Sequence, residues 1–149
     1  MKRKYLKILF IAAVILALIG SGVAWYIISQ RFDDTSSVKA DFTISADSLL
    51  HEFGQNLDAA NKKYTEKILQ VKGIVNEVEP LDSEVNVKFV DTLSGNYLIF
   101  SFQDKGVDAA KNLREGDLAT IRASCSGGVH SDILELNYVS FKRAALIKD

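Results

Sequence analysis

The stretch Lys67-Ile-Leu-Gln-Val-Lys-Gly-Ile-Val-Asn-Glu-Val-Glu79 decides the fold. It is β-rich, and Leu69, Val71 and Val75 share one parity, the pattern of a strand with one buried face. Gly73 falls on the same inward parity, where a glycine marks a bend, a bulge or a close backbone approach. Pro80, the only proline, ends the stretch. A long first strand that can bend is able to pair with both halves of a small barrel. The expected fold is therefore mainly β with an N-terminal helix: a five-stranded OB-type Greek-key barrel preceded by a single transmembrane helix.

The chain downstream supplies four more strands. Pro80–Ser83 reads as a turn, and Glu84–Val90 alternates with Val85, Val87 and Phe89 on one side. After the loop Asp91–Asn96, the segment Tyr97–Phe102 puts Leu98, Phe100 and Phe102 on one parity and Tyr97 and Ile99 on the other. Asp104–Leu113 is weakly helical. Leu118–Cys125 is the fourth strand, Ser126–Asp132 a glycine-rich loop, Ile133–Phe141 the fifth strand and Lys142–Asp149 a frayed tail. Three strands, a short helix and two strands is the order of the OB-fold. Periodicity does not separate this from a five-stranded barrel of another connectivity.

Upstream, Ser45 suits an N-cap, and Ala46, Leu49, Leu50, Phe53, Leu57, Ala60 and Tyr64 recur at helical spacing. Gly54 and Asn56 interrupt the middle, as at the meeting of two short helices. The helix and barrel together span residues 45–141. Residues 31–44 form a polar linker, and 1–30 a basic start with an anchor. Ile8 to Gln30 is a run of 23 residues without a charge. At 1.5 Å per residue it spans roughly 35 Å, enough for a bilayer core of about 30 Å. Lys2, Arg3, Lys4 and Lys7 precede it, which places the N-terminus inside and the barrel outside. The expected location is the bacterial cytoplasmic membrane, single-pass, with a periplasmic barrel. The competing reading is a signal peptide cleaved after Ala24, since Gly22-Val-Ala24 has the small-x-small form.

The residues from Leu50 to Phe141 resemble the anticodon-binding-like OB-fold family of membrane-anchored or secreted bacterial envelope proteins. Asn56, Ala60, Tyr64, Lys67 and Val71-x-Gly73-x-Val75 carry the resemblance, with Leu113-x-x-Gly116-Asp117, Ile121 and Cys125-x-Gly127 further along. The resemblance implies the fold and an extracytoplasmic location, and no ligand or reaction.

Chemistry is sparse. The single cysteine, Cys125, excludes an intramolecular disulfide and reads as a small core residue of the fourth strand. Its one candidate catalytic partner is His130 in the following loop; His51, the other histidine, reads as a surface residue. His130 with Asp132, and Glu79 with Asp82, form an unspecific oxygen-rich set better read as solvated loops. Gly127-Gly128 lacks the lysine and helix of a phosphate loop. No enzyme activity, cofactor or metal is expected. Between Thr65 and Phe141 there are seven basic and twelve acidic side chains, a net of −5. That balance repels a polyanion, so nucleic acid is not an expected partner.

Two function classes remain. One is a membrane-tethered binding module recognising a protein, peptide or glycan of the cell envelope; the other is a constitutive accessory subunit of a larger envelope complex. In an OB barrel the loops after strands one and four flank the ligand face of strands two and three. The expected binding residues are thus Glu79, Asp82 and Glu84 on the first loop and His130 and Asp132 on the second. Lys88, Tyr97 and Ile99 lie between them with Asn86, Tyr97 serving as the aromatic anchor for a partner of basic character. The alternative is that the N-terminal helix covers Tyr97.

Overall fold

The computed structural model describes residues 17–23, 25 and 35–148. The chain divides into two compact units, Met1–Asp33 and Asp34–Asp149. In the first, residues 17–23 and 25 are helical and exposed. Among the described residues no helix is long and apolar enough to cross a membrane. The expected single-pass, periplasmic placement is corrected on that finding. The rest of Ile8–Gln30, the basic start and Ala24 lie outside the described residues.

The second unit begins with a short strand, β1 (Phe42–Ser45), followed by two helices, α1 (Ala46–Gln55) and α2 (Leu57–Tyr64). Ser45 caps α1 by accepting from Ser48 N at 3.2 Å, and Asn56 caps α2 by accepting from Ala59 N at 3.0 Å. A residue committed to capping cannot continue the preceding helix, so the stripe breaks in two at Asn56. There follow β2 (Ile68–Ile74), β3 (Glu77–Pro80), β4 (Glu84–Val90), β5 (Tyr97–Gln103), a 3-10 turn (Asp104–Gly106), α3 (Val107–Lys111), β6 (Leu118–Ser131) and β7 (Leu136–Ile147).

The five-stranded closed barrel is corrected by the pairing. Seven strands form one open mixed sheet in the order β1-β2-β6-β7-β5-β4-β3. The β1–β2 and β5–β7 pairs are parallel and the others antiparallel. The opening stretch of sequence is two strands, because its backbone changes partner between adjacent residues. Val75 N donates to Asp117 O and Val75 O accepts from Gly116 N, on the β6 side. Asn76 N donates to Lys88 O on β4, and Asn76 Oδ1 accepts from Val90 N at 2.7 Å. β2 therefore lies near one end of the strand order and β3 at the other. The extra strand, β1, is four residues long, too short for its alternation to be legible; the Phe42 ring meets Tyr64 edge-on at 5.1 Å.

One core covers one side of the sheet. Leu69, Val71, Val75, Val85, Val87, Phe89, Leu98, Phe100 and Phe102 are buried, as their parity requires. Leu49, Leu50, Phe53, Ala60 and Tyr64 bring the helix pair onto it. Gly73 is the point of closest approach: a Cβ there would stand 2.7 Å from both Ala46 Cβ and Phe89 Cδ2.

The glycine-rich segment after Cys125 is strand rather than loop. Gly127 and Gly128 are buried inside β6, and a Cβ on Gly128 would stand 2.6 Å from Phe53 Cδ1. The Asn61 amide takes the place of a neighbouring strand, donating to Gly128 O at 2.9 Å and accepting from Gly128 N at 2.7 Å. β7 likewise continues to Ile147, beyond the alternation that ends at Phe141.

The chain entering the sheet is also held. The Arg122 guanidinium donates to Ser36 O at 3.0 Å and Val38 O at 2.8 Å, and it is oriented by two bonds to Gln70 Oε1. Asp41 Oδ2 accepts from Ile68 N at 2.8 Å, fixing the start of β1 beside β2.

Candidate functional site

Strand alternation sends Val85, Val87 and Phe89 of β4 and Leu98, Phe100 and Phe102 of β5 into the core. The intervening residues therefore line one outward face, and the register arranges them in rows. Val90 lies opposite Tyr97 and Tyr97 opposite Tyr138; on the far side of β7, Tyr138 lies opposite Val129. The next row runs Glu77, Lys88, Ile99, Ser140, Gly127, and beyond it Glu79, Asn86 and Ser101 align.

The centre of the face is aromatic. Tyr97 and Tyr138 stack with ring centroids 5.5 Å apart and planes 11° from parallel. Lys88 Nζ stands 5.8 Å from the Tyr97 centroid on the β4 side. The parallel β5–β7 pairing brings the two tyrosines directly abreast, and offset aromatic pairs contribute about 0.5–1.5 kcal/mol beyond their burial. Tyr97 is half-buried, with Tyr138 and Lys88 against its ring.

One lysine and three carboxylates lie on the face, and each is held by a neighbour. Lys88 Nζ lies 3.0 Å from Glu77 Oε2 and 3.5 Å from Glu79 Oε2. The hydrogen bond to Glu77, partly opposed by burial, raises the Lys88 pKa above its ordinary value. Glu84 Oε2 accepts from Ser101 Oγ at 2.7 Å and from Gln103 Nε2 at 3.1 Å, and those bonds, Ser101 first, lower its pKa.

Of the residues expected at the site, the structure brings Glu79, Glu84, Lys88, Tyr97 and Ile99 onto this one face. Asp82 sits exposed in the β3–β4 turn beside Glu84. His130 and Asp132 do not join them. His130 pairs with Asn137 in the ladder, one residue out of phase with Val129 and Tyr138, so alternation turns it to the other side. Its Nδ1 lies 2.8 Å from Asn137 Oδ1 and its Nε2 3.7 Å from Asp132 Oδ1. The two loops expected to flank the face lie at opposite ends of it, since the β6–β7 turn is tied to the start of β5 by Asn137 N donating to Asn96 Oδ1 at 2.8 Å.

Tyr138, Ser140 and Val129 complete the face and are absent from the sequence reading. The signal available was the parity of Tyr138 against buried Val139 and Phe141; which strand it would neighbour was not. Cys125 is buried, and desolvation pushes its thiol up to about 11. His130 is five residues further along the same strand, roughly 16 Å at 3.3 Å per residue, so no thiol–imidazole pair forms. Among the described residues no group of three or more His, Cys, Asp or Glu side chains is placed to hold a metal ion.

No curated protein matches the chain. Among solved structures, a protein from Klebsiella pneumoniae subsp. pneumoniae, named as a candidate nucleic acid-binding lipoprotein, is similar with a TM-score of 0.56 and 20% identity. The match covers 80% of this chain and 100% of that one. At that identity the likeness is one of fold, and this domain is OB-fold-like. The exclusion of nucleic acid as a partner is corrected by this comparison, because a protein of the same fold is named for that ligand. The physical reason is that a net charge averages over the whole surface, whereas recognition is local. Asp104, Asp108, Glu115 and Asp117 enter the count from the 3-10 turn, α3 and the turn before β6, away from the tyrosine face. The tRNA_anti-like family model matches residues 1–138, nearly the whole sequence, and the chain belongs to that family.

Proposed function

We propose that the domain is a binding module that recognises a protein, peptide or glycan through the outward face of β4, β5 and β7. The observation that carries this reading is the half-exposed Tyr97–Tyr138 stack beside Ile99, with exposed Val129 at its edge. A sheet face given over to solvent has no need of four such side chains in adjacent rows. Aromatic residues held rigid by their neighbours are also the side chains on which binding energy concentrates. The lipoprotein name of the Klebsiella protein supports looking for the partner in the cell envelope.

A second reading, single-stranded nucleic acid, draws support from the same protein's name and from the presence of aromatic residues and a lysine on the face. Both readings are tested by presenting the full chain to peptide, glycan and oligonucleotide arrays, then repeating the measurement with Tyr138→Ala. Tyr138 lies on the outside of the sheet, so the variant keeps its core. We expect affinity for the retained ligand to fall about tenfold or more, while the melting temperature drops only by the few degrees that loss of the stack accounts for. A folded variant that binds every retained ligand as the wild type does would place the binding surface elsewhere.

A further inference from the structure

We infer that the end of the sheet formed by the β4–β5 loop and the β6–β7 turn is a docking surface for a protein partner whose apolar groove is rimmed by basic side chains. This surface lies beyond the border of the tyrosine face, and the inference does not depend on the reading of that face.

Two loops project from this end. The register sets Val90, Tyr97, Tyr138 and Val129 in one row across β4, β5, β7 and β6. The β4–β5 loop, residues 91–96, springs directly from that row, and the β6–β7 turn, residues 132–135, closes its hairpin two residue pairs beyond it. The loops are joined: Asn137 N donates to Asn96 Oδ1 at 2.8 Å, and a Cβ on Gly95 would stand 3.8 Å from Leu136 Cδ2. They carry Leu93, 96% exposed, Ile133, 93% exposed, and Leu134, 57% exposed. A single exposed aliphatic side chain is ordinary, but three on two joined loops concentrate apolar surface at one end of the domain, the pattern of an interaction site.

The loops hold these side chains out. Asp91 N donates to Asn96 O and Gly95 N to Asp91 O, both at 2.8 Å, and Asp91 Oδ1 accepts from Leu93 N at 3.0 Å. Leu93 is therefore presented on a closed loop and loses little backbone freedom on binding. The β6–β7 turn breaks its own local rule. Its left-handed position, φ +54°, is filled by Glu135 instead of glycine or asparagine, and Ile133 and Leu134 stand where turn-forming residues are favoured. Neither choice helps the turn to form, and such local conflicts are characteristic of working surfaces.

Charge selects the occupant. Residues 91–96 and 130–137 include Asp91, Asp132 and Glu135 and no lysine or arginine. The Asp132 side chain is 98% exposed, with His130 Nε2 3.7 Å from its Oδ1, and Glu135 is exposed as well. Three carboxylates repel an anionic lipid surface and a nucleic-acid backbone, and they repel their own counterparts in a tip-to-tip pair of copies. Projecting loops also differ from the concave pockets that enclose small molecules. A protein groove with an apolar floor and a rim of lysine or arginine matches both features, burying the aliphatic side chains and pairing the carboxylates around them.

The test places a photocrosslinking amino acid at Leu93 or Ile133 of the full chain, in the cells that make it, with the exposed Lys105 position of the 3-10 turn as control. One protein is expected to crosslink from the first two positions and not from the third. With that protein purified, Leu93→Ser and Ile133→Ser should each weaken its binding about tenfold and leave the melting temperature unchanged, because both side chains are exposed. Raising salt from about 0.15 M to about 1 M shortens the Debye length from about 8 Å to about 3 Å and should weaken binding several-fold; Asp132→Lys should do the same at low salt. Crosslinks to lipid, to nucleic acid or to a second copy, or none beyond those from position 105, would overturn the inference. So would a protein partner whose affinity both serine variants leave intact, or one indifferent to salt and to Asp132→Lys.

Discussion

Gly73→Ala tests whether the fold turns on close approach at the middle of the opening strand. An added Cβ would stand 2.7 Å from Ala46 Cβ at the start of α1 and 2.7 Å from Phe89 Cδ2 on β4. Neither neighbour has room to yield, since Ala46 is anchored in the backbone of α1 and the Phe89 ring is 1% exposed. Overpacking of this kind costs about 1–3 kcal/mol. Removing a glycine from a strand interior returns about 0.5–1 kcal/mol of backbone entropy. The net loss is then centred near 1 kcal/mol and reaches about 2.5 kcal/mol. For a domain the length of Asp34–Asp149, 1 kcal/mol corresponds to about 4 °C in melting temperature, so the expected drop is centred near 5 °C and reaches about 10 °C. Gly54→Ala is the control: it lies in α1, and the nearest atom to its added Cβ is Asn96 Nδ2 at 3.8 Å. There the gain in helix propensity, about 1 kcal/mol, should raise the melting temperature by a few degrees. Both are read by calorimetry on the full chain. A Gly73→Ala variant melting at or above the wild type would refute the close-approach account.

Other outcomes follow from single contacts. Asn61→Ala should destabilise by about 2–4 kcal/mol in denaturant unfolding, because it leaves both the N–H and the carbonyl of buried Gly128 without the Asn61 amide; Asn61→Asp, which keeps the acceptor, should lose less. Arg122→Ala should release the segment 35–40, seen as faster tryptic cleavage after Lys39 at temperatures where the wild-type domain stays intact. Glu84 has a folded pKa below its ordinary value of 4.5, so its contribution is present above 4.5 and is lost as pH falls through the lower folded value. The stability gap between wild type and Glu84→Gln should accordingly be constant at neutral pH and narrow below about pH 4.5 in thermal melts; a gap that holds unchanged to pH 2.5 would contradict the assignment to the Ser101 and Gln103 bonds.

Much of the core was legible because period-two alternation is a local property. Val85, Val87 and Phe89, then Leu98, Phe100 and Phe102, have to share a face whatever lies opposite, and all six are buried. The division of the helix at Asn56 was legible for the same reason: a cap acts on backbone groups within three residues. The glycines of β6 misled because glycine in sequence signals a loop, whereas here the missing side chains make room for Phe53 and Asn61 from helices more than sixty residues earlier.

The binding face divides along the same line. Lys88, Tyr97 and Ile99 could be assigned outward from their own strands, but their neighbours could not. Whether Tyr138 stands beside Tyr97 depends on the parallel β5–β7 register, across 41 positions of sequence. Whether Glu79 is free or bound to Lys88 depends on the β3–β4 pairing. His130 differs from Val129 only by one step of alternation, and that step is fixed by the register of a hairpin whose turn the sequence placed elsewhere. By itself the sequence determined which residues are apolar, which alternate and where a helix is capped, all through interactions reaching a few residues. The tertiary structure alone decided which strands are neighbours, and so which side chains meet, because strand order and register are set by packing between segments far apart in the chain.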